Sequence, residues 1–405
     1  MSSAPVNSQT TDRHRRRHTG VVLFRNAFRP FFLGAGIWAI AALSIRLAEL
    51  SGIDISALAF ADLNRWHVHE LLFGYGSGVV AGFALTAIPN WTGRLPVAGT
   101  ALAALTCLWL AGRVAALLPQ LPSALHLVID AAFLPTLAGL AAREIVAAKN
   151  HRNIPVVGLI ALLALGNISF HLEEAEIMAV TSYGARLGLA ALILLMGLIG
   201  GRIVPSFTNN WLARENKPRI AATNVPTERL VHGATAAALA LWVVLPFEAA
   251  TGAALAAAAA AQLIRLARWR GWMTVREPLV LVLHVGYAWI PIGLALLGAT
   301  IVWHPGAISA GVHALTVGAV GTMTLAVMTR ATLGHTGRAL RAGGGTTAIY
   351  AAITISALAR VAAAFLPAAA GTLLPLAGLF WISSFVLFVA IFGAMHLRPR
   401  AGETA

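Results

Sequence analysis

Long apolar stretches recur along the whole chain, and each is about 18–25 residues long, the length that a helix needs to cross about 30 Å of hydrocarbon. Hydrophobic residues make up 58% of the 405 positions and charged residues only 11%. A soluble domain, by contrast, is about half apolar and about a quarter charged. Alternating barrel strands would give a different pattern. The sequence therefore predicts an all-α fold, a polytopic membrane bundle of about 12 transmembrane helices.

The predicted helices follow one another through loops that are too short to hold a soluble domain. They cover residues 24–50, 67–90, 98–118, 123–147, 154–172, 180–205, 229–248, 250–268, 278–301, 306–330, 347–367 and 372–395. We therefore predict a single transmembrane domain over 24–396, with a basic tail over 1–23 and a second tail over 397–405.

Basic residues account for a formal net charge of +14, and they are concentrated in alternate loops, such as RHRRRH at 13–18 and RLARWRGWMTVR at 265–276. The opposite loops hold carboxylates, for example Glu173 and Glu174, or almost no charge. This positive-inside pattern predicts a multi-pass protein with both termini in the cytoplasm. The predicted partner is the lipid bilayer with its anionic head groups, and no fold signal supports nucleic-acid binding.

Cys107 is the only cysteine in the sequence. One cysteine excludes a disulfide within the chain, a CxxC metal site, a four-thiolate iron–sulfur cluster and the attachment of a c-type haem. A bound metal or haem would therefore depend mainly on histidine.

Two parts of the chain resemble each other. HELLFG at 69–74 is followed by TGR at 92–94, and HALTVG at 313–318 is followed by TGR at 336–338 at the same spacing. The next predicted helix carries LAGRVAALLP in one copy and LARVAAAFLP in the other. We interpret helices one to four and nine to twelve as parallel four-helix repeats. The first repeat, the middle section and the last repeat cover 24–147, 154–268 and 278–395.

The repeat makes His69 and His313 equivalent, and both enter the membrane from the outer face on parallel helices. Two histidines that face each other across such a bundle can supply both axial ligands of a haem. Glycines along the same stripes would make room for a flat cofactor, although small-residue packing between helices is the better explanation of the glycines alone. These glycines are Gly74, Gly78, Gly82, Gly318 and Gly321.

Arginines are expected at a similar depth. Arg113 and Asp130 lie on either side of one predicted outer turn, so they are placed to pair with each other. Arg360 is the repeat partner of Arg113. Two interpretations stay open, a structural ion pair and an arginine that holds haem propionates.

The other candidate histidines fall into separate groups. His67 cannot bind the same metal as His69 on a regular helix, because residues i and i+2 point about 200° apart, but it could form a second metal site with His171. His284 lies near the opposite side of the membrane, where a second cofactor and a hydrogen-bonded core histidine are equal alternatives. His335 is predicted at the inner surface.

The sequence resembles the NnrS family, membrane proteins linked to the bacterial response to nitric oxide, over nearly its whole length. The stretches that carry the resemblance are FRPFF at 28–32, WHVHELLFG at 66–74, AIPNWTGR at 87–94, IGGRIVPSFTNNWL at 199–212, RLARWRGW at 265–272, REPLVLVLHVGYAWIPIG at 276–293 and HALTVGAVGTMTLAVMTRATLGHTGR at 313–338. The resemblance implies a bacterial inner-membrane protein with haem b, and with copper as a further metal. It also implies metal ligands among the histidines inside these stretches, namely His67, His69, His171, His284, His313 and His335.

The predicted bundle also has a distant likeness to the core of the haem-copper oxidases. The sequence has no adjacent His-His pair and no HPE on the sixth helix, so it does not predict their three-histidine copper centre, and enzymatic activity is left open. Two classes of function remain: a haem protein that binds or turns over nitric oxide, and a transporter of a metal, haem or an iron–nitrosyl species. The redox partner is left unassigned.

Overall fold

The computed structural model describes residues 20–54, 62–118, 120–179, 181–221, 224–304 and 307–403. The basic stretch at 13–18 and Ala405, on which the predicted topology partly depends, lie outside the described residues. Helices make up 82% of the structure, and the described ranges contain no strand. The all-α prediction is confirmed.

Twelve long helices follow one another in the described residues, numbered here in chain order. They are α1 (Phe28–Leu50), α2 (Leu63–Thr92), α3 (Thr100–Ala115), α4 (Ser123–Ala147), α5 (His151–Glu174), α6 (Tyr183–Arg214), α7 (Val225–Val244), α8 (Ala249–Arg268), α9 (Pro278–Trp303), α10 (Ile308–His335), α11 (Gly344–Phe365) and α12 (Pro367–Leu397).

Ten of these helices are long and apolar enough to cross a membrane, all except α3 and α7. The polytopic bundle is therefore confirmed. Helix α3 has 16 residues and so spans about 24 Å at about 1.5 Å per residue. The prediction of twelve crossings depends on α3 and α7 and stays a prediction.

Helices α2 and α10 are the most enclosed spans, since 72% of the apolar window of each is buried inside the bundle. Helix α1 packs between α2 and α12, and α11 packs along α12. Close pairs also form between α5 and α6 and between α8 and α9. The two helices that carry the repeated HxLxxG segment are therefore at the centre of the protein.

Both central helices change geometry at the same place. Helix α2 becomes π-helical over Glu70–Tyr75, directly after His69, and α10 becomes π-helical over Ala314–Gly321, directly after His313. Such single wide turns are frequent at functional sites. The two segments that resemble each other in sequence therefore share this irregularity.

The repeated TGR sequence also has a structural explanation. Gly93 and Gly337 both have positive φ, 70° and 74°, a conformation that suits glycine and ends a helix. They lie just beyond the last residues of α2 and α10. The common spacing from the histidine to the TGR sequence thus reflects the similar distance from each histidine to the end of its central helix.

Candidate metal centre

Buried charged groups gather where α2, α3, α4 and α5 meet, at the end of the bundle that the charge pattern assigns to the outside. The residues His69, Glu70, Arg113, Asp130 and His171 are at most 3% exposed. A charge away from water is tolerated only when it is paired and hydrogen-bonded. The partners of each group therefore determine what the cluster can do.

Arg113 connects the two carboxylates of the cluster. It donates to Glu70 Oε2 and to Asp130 Oδ1, so the predicted pairing with Asp130 is confirmed. Glycine makes this close approach possible: a Cβ atom on Gly112 would lie 2.5 Å from Asp130 Oδ1, and a Cβ on Gly74 would meet the Arg113 guanidinium.

His69 is held by acceptors on both sides of its ring. Its Nδ1 lies 2.7 Å from Glu70 Oε1, and its Nε2 lies 2.9 Å from Asn167 Oδ1 and 3.2 Å from Asp130 Oδ2. Asn167 donates through Nδ2 to Asp130 Oδ2 at 2.8 Å, and this bond fixes which end of the amide faces His69. Because both ring nitrogens face acceptors, the imidazole donates from both and is positively charged.

His69, Glu70, Arg113 and Asp130 together are then electrically neutral. Glu70 and Asp130 supply two negative charges, and Arg113 and His69 supply two positive charges. The proton on His69 Nε2 is the positive charge most easily exchanged, because Arg113 cannot lose its own.

His171 completes a set of possible metal ligands. Its Nε2 lies 3.0 Å from Asp130 Oδ2, and its ring centroid lies 4.8 Å from that of His69. One ligand atom from each of His69, Asp130 and His171 can be chosen so that all lie within 4.8 Å of one another. A second group that meets the same limit is formed by His126, His171 and Glu174.

The donor set of the inner group suits a transition metal. Two imidazole nitrogens and one carboxylate oxygen bind iron, copper or zinc and leave other coordination positions open. Glu70 is hydrogen-bonded to the far nitrogen of His69, the arrangement that commonly orients a metal-binding histidine. Arg113 binds Oδ1 of Asp130, and the other oxygen faces the two histidines. The residues present therefore fit a metal ion.

His313 lies in different surroundings from His69. Its Nδ1 donates to Ser309 O at 2.8 Å, and its charged and titratable neighbours are Arg360 and His67. His67 in turn has Arg360 and Arg46 as neighbours. The structure thus brings His69 together with His171 and Arg113, and it brings His313 together with His67 and Arg360. A haem shared by His69 and His313, and a second site of His67 with His171, stay predictions.

His284 and His335 lie away from both groups. His284 Nε2 lies 2.8 Å from Thr208 Oγ1, while its buried Nδ1 finds no hydrogen-bond partner in the described part of the chain. His335 is exposed and stacks on Phe28 with ring centroids 5.4 Å apart. Their proposed metal binding also stays a prediction.

Sequence reasoning missed several members of the cluster, namely Glu70 as the partner of Arg113, and His126 and Asn167. One signal was available. His126 and Asp130, like Asn167 and His171, are four residues apart on one helix, and side chains at this spacing share a face. Polar pairs at that spacing inside apolar helices mark a buried polar face.

The fold and this cluster together define a polytopic helical membrane protein with a buried histidine–carboxylate centre. The profile of the NnrS protein family matches residues 22–400, and the chain belongs to this family. Membership supports a membrane protein related to the nitric oxide response. No curated protein matches the chain.

Proposed function

We propose that this protein binds nitric oxide in the bacterial inner membrane through a copper ion held by His69, Asp130 and His171, and that haem b is its second prosthetic group. The observation that carries the proposal is the convergence of two imidazoles and one carboxylate oxygen inside a charge-balanced cluster. A bound copper ion would supply a redox-active centre with open positions for a small ligand.

Charge favours a monovalent ion at this position. Exchange of the His69 proton for Cu⁺ leaves the cluster neutral, whereas a divalent ion adds a positive charge in surroundings of low dielectric constant. Asn167 gives up its hydrogen bond to His69 in this exchange, while Glu70 and Arg113 keep their contacts and hold the ligands in place.

Aromatic rings limit the access of water. Phe73 and Phe170 lie beside His69, with ring centroids 5.5 Å and 5.2 Å away, and both are buried. Nitric oxide is small and uncharged, so it can reach the cluster through lipid and packed side chains that exclude ions. The site is therefore suited to a dissolved gas rather than to a charged substrate.

His313 and Arg360 are the residues that we propose for the haem. A histidine whose Nδ1 donates to a carbonyl presents Nε2 to a metal. Arg360 makes no ion pair within the described ranges and so can bind a propionate. A haem that also used His69 would require that side chain to leave Asn167 and Asp130.

The experiment is a metal and haem analysis of the protein purified in detergent, with absorption and electron paramagnetic resonance spectra before and after nitric oxide. We expect bound copper, a haem spectrum, and a change in the spectra on adding the gas. The double variant His69→Ala/His171→Ala should lose copper, whereas His335→Ala should keep it. The proposal would be contradicted if the wild-type protein contained no metal, or if its spectra did not change when nitric oxide was added.

A further inference from the structure

His171 belongs to two ligand groups at once, one fully buried and one that reaches the outer end of α5. Its Nε2 faces Asp130 Oδ2 at 3.0 Å, whereas its Nδ1 faces Glu174 Oε2 at 3.7 Å. The two nitrogens of one imidazole thus point to the two groups. His126 stands beside both, with ring centroids 4.8 Å from His171 and 6.3 Å from His69.

Glu174 is the member of the outer group that water can reach. Its side chain is 23% exposed, whereas His126 and His171 are each 3% exposed. The preceding residue has another role: Glu173 accepts from the backbone N–H of Gly184 at 3.0 Å and lies 3.8 Å from Arg65. Glu174 has no arginine partner among the described residues, and the groups that act on it are the three histidines of the two clusters.

We infer that His126, His171 and Glu174 form a loading site for a copper ion, which His171 then passes inward to His69 and Asp130. The inference rests on the proposed function, because it needs the buried group to be the destination. The outer carboxylate attracts the cation while it still keeps water ligands. The inner group takes the ion only after that water has been lost.

The transfer needs no change of oxidation state. The ion exchanges Glu174 oxygen for Asp130 oxygen and Nδ1 of His171 for its Nε2. The single proton of the neutral imidazole moves from Nε2 to Nδ1 in the same exchange, so the nitrogen that faces the ion is always the one with a free lone pair. The proton displaced from His69 passes to water at the outer end of α5, beside the partly exposed Glu174, as the ion arrives, since the metal needs the free nitrogen lone pair. Shared use of one imidazole divides the dehydration of the ion into two smaller steps.

The experiment measures how fast metal-free protein in detergent takes Cu⁺ from a coloured Cu⁺ chelate. Glu174→Gln keeps the size of the side chain and removes its charge. It should slow the loading by about tenfold, the lower end of what a lost supporting ligand costs, and leave the final inner occupancy unchanged. The matched control is Glu176→Gln, which removes an exposed carboxylate two residues after Glu174, in the loop that follows α5.

The number of ions bound gives a second measurement. Because the neutral His171 imidazole has one free lone pair, it holds an ion in only one of the two groups at a time. Wild-type protein and Glu174→Gln should therefore each bind one Cu⁺ at saturation, and two tightly bound ions in wild type would contradict the transfer. Equal loading rates in wild type and Glu174→Gln, or equal slowing by Glu176→Gln, would overturn the loading site and leave the buried copper site intact. A wild-type protein that takes up no Cu⁺ would instead contradict the proposed function itself.

Discussion

At the residue scale, the equivalent arginines Arg113 and Arg360 differ in what surrounds them. Arg113 is buried between two carboxylates, whereas Arg360 is half-buried and makes no ion pair within the described ranges. The sequence contains the cause, because Glu70 of the first copy is replaced by Ala314 in the second. One copy thus has a neutral cluster with a replaceable proton, and the other has a guanidinium that forms no ion pair with the residues that the structure describes.

This difference predicts unequal effects on stability. Arg113→Leu leaves two buried carboxylates without their cation and should lower the free energy of unfolding by about 3–5 kcal/mol. Arg360→Leu removes a charge that has no carboxylate partner and should cost much less. Thermal unfolding of both variants in detergent, without added metal or haem, measures the difference. Equal losses would mean that the ion pairs of Arg113 do not stabilise the fold.

The axial ligands of the haem are tested by absorption spectra. The repeat alone makes His69 and His313 equivalent and would predict the same loss in both variants. With His69 assigned to copper, we expect His313→Ala alone to abolish or convert a six-coordinate low-spin haem, while His335→Ala leaves it unchanged. An effect of His313→Ala alone would agree with the separate surroundings of the two histidines. An unchanged six-coordinate spectrum in both variants would exclude His69 and His313 and direct the search to His67, His171 and His284.

The sequence predicts part of this site. The part that it does not predict depends on how the helices are rotated against one another. Arg113 and Asp130 flank one turn at similar depth, so their pairing follows from helix length alone. The helical period also separates His67 from His69, but it cannot say which of the two faces the carboxylates. That choice depends on how α2 is rotated against α3 and α5, which is set by tertiary packing.

At the scale of elements, the close approach of α2 and α3 depends on Gly74. A Cβ atom there would meet the Arg113 guanidinium and lie 2.8 Å from Glu70 Oε2 and 2.9 Å from Trp38 Nε1. Trp109 of α3 also donates to Gly74 O at 2.9 Å. The helices therefore fit together at a point where no side chain fits between them.

Gly74→Ala should separate these helices and distort the cluster. We expect a loss of about 1–3 kcal/mol in the free energy of unfolding, as for other overpacked positions, together with weaker copper binding. Gly139→Ala on α4 is the control, because a Cβ atom there meets nothing within 4 Å. Unfolding curves and a Cu⁺ titration of the two variants provide the measurement. Copper affinity equal to wild type in Gly74→Ala would show that the cluster tolerates the displacement.

The repeat was visible in the sequence, but the wide turns were not. HELLFG and HALTVG predict equivalent helices, whereas nothing in their composition marks Glu70–Tyr75 and Ala314–Gly321 as π-helical. A π-helical turn is locally no more stable than an α-helical turn, so it is found only where the packing around it favours it. Its presence after both histidines is therefore a property of the central position of α2 and α10 in the bundle.

At the scale of the whole molecule, the orientation decides which solution the loading site meets. The alternation of basic and acidic loops predicts cytoplasmic termini, and a start in the cytoplasm puts the loop after α5 outside only if all five preceding helices cross. Helix α3 is the helix whose crossing is least supported by its length, since its 16 residues span about 24 Å, whereas the hydrocarbon layer is about 30 Å thick. Local thinning of the bilayer or tilted neighbours would have to make up the difference.

Two reporter fusions test this topology. A fusion after Ala405 should be active only as a cytoplasmic reporter, but this result alone is compatible with ten crossings as well as twelve. A reporter inserted after Met178, in the loop between α5 and α6, should be active only in its periplasmic form, because α3 must cross for that loop to lie outside. The start of α2 and the ends of α3 and α5 meet at the cluster, so cytoplasmic activity at Met178 would mean that the whole bundle is inverted. Glu174 and the copper cluster would then lie on the inner face, and the metal would be loaded from the cytoplasm.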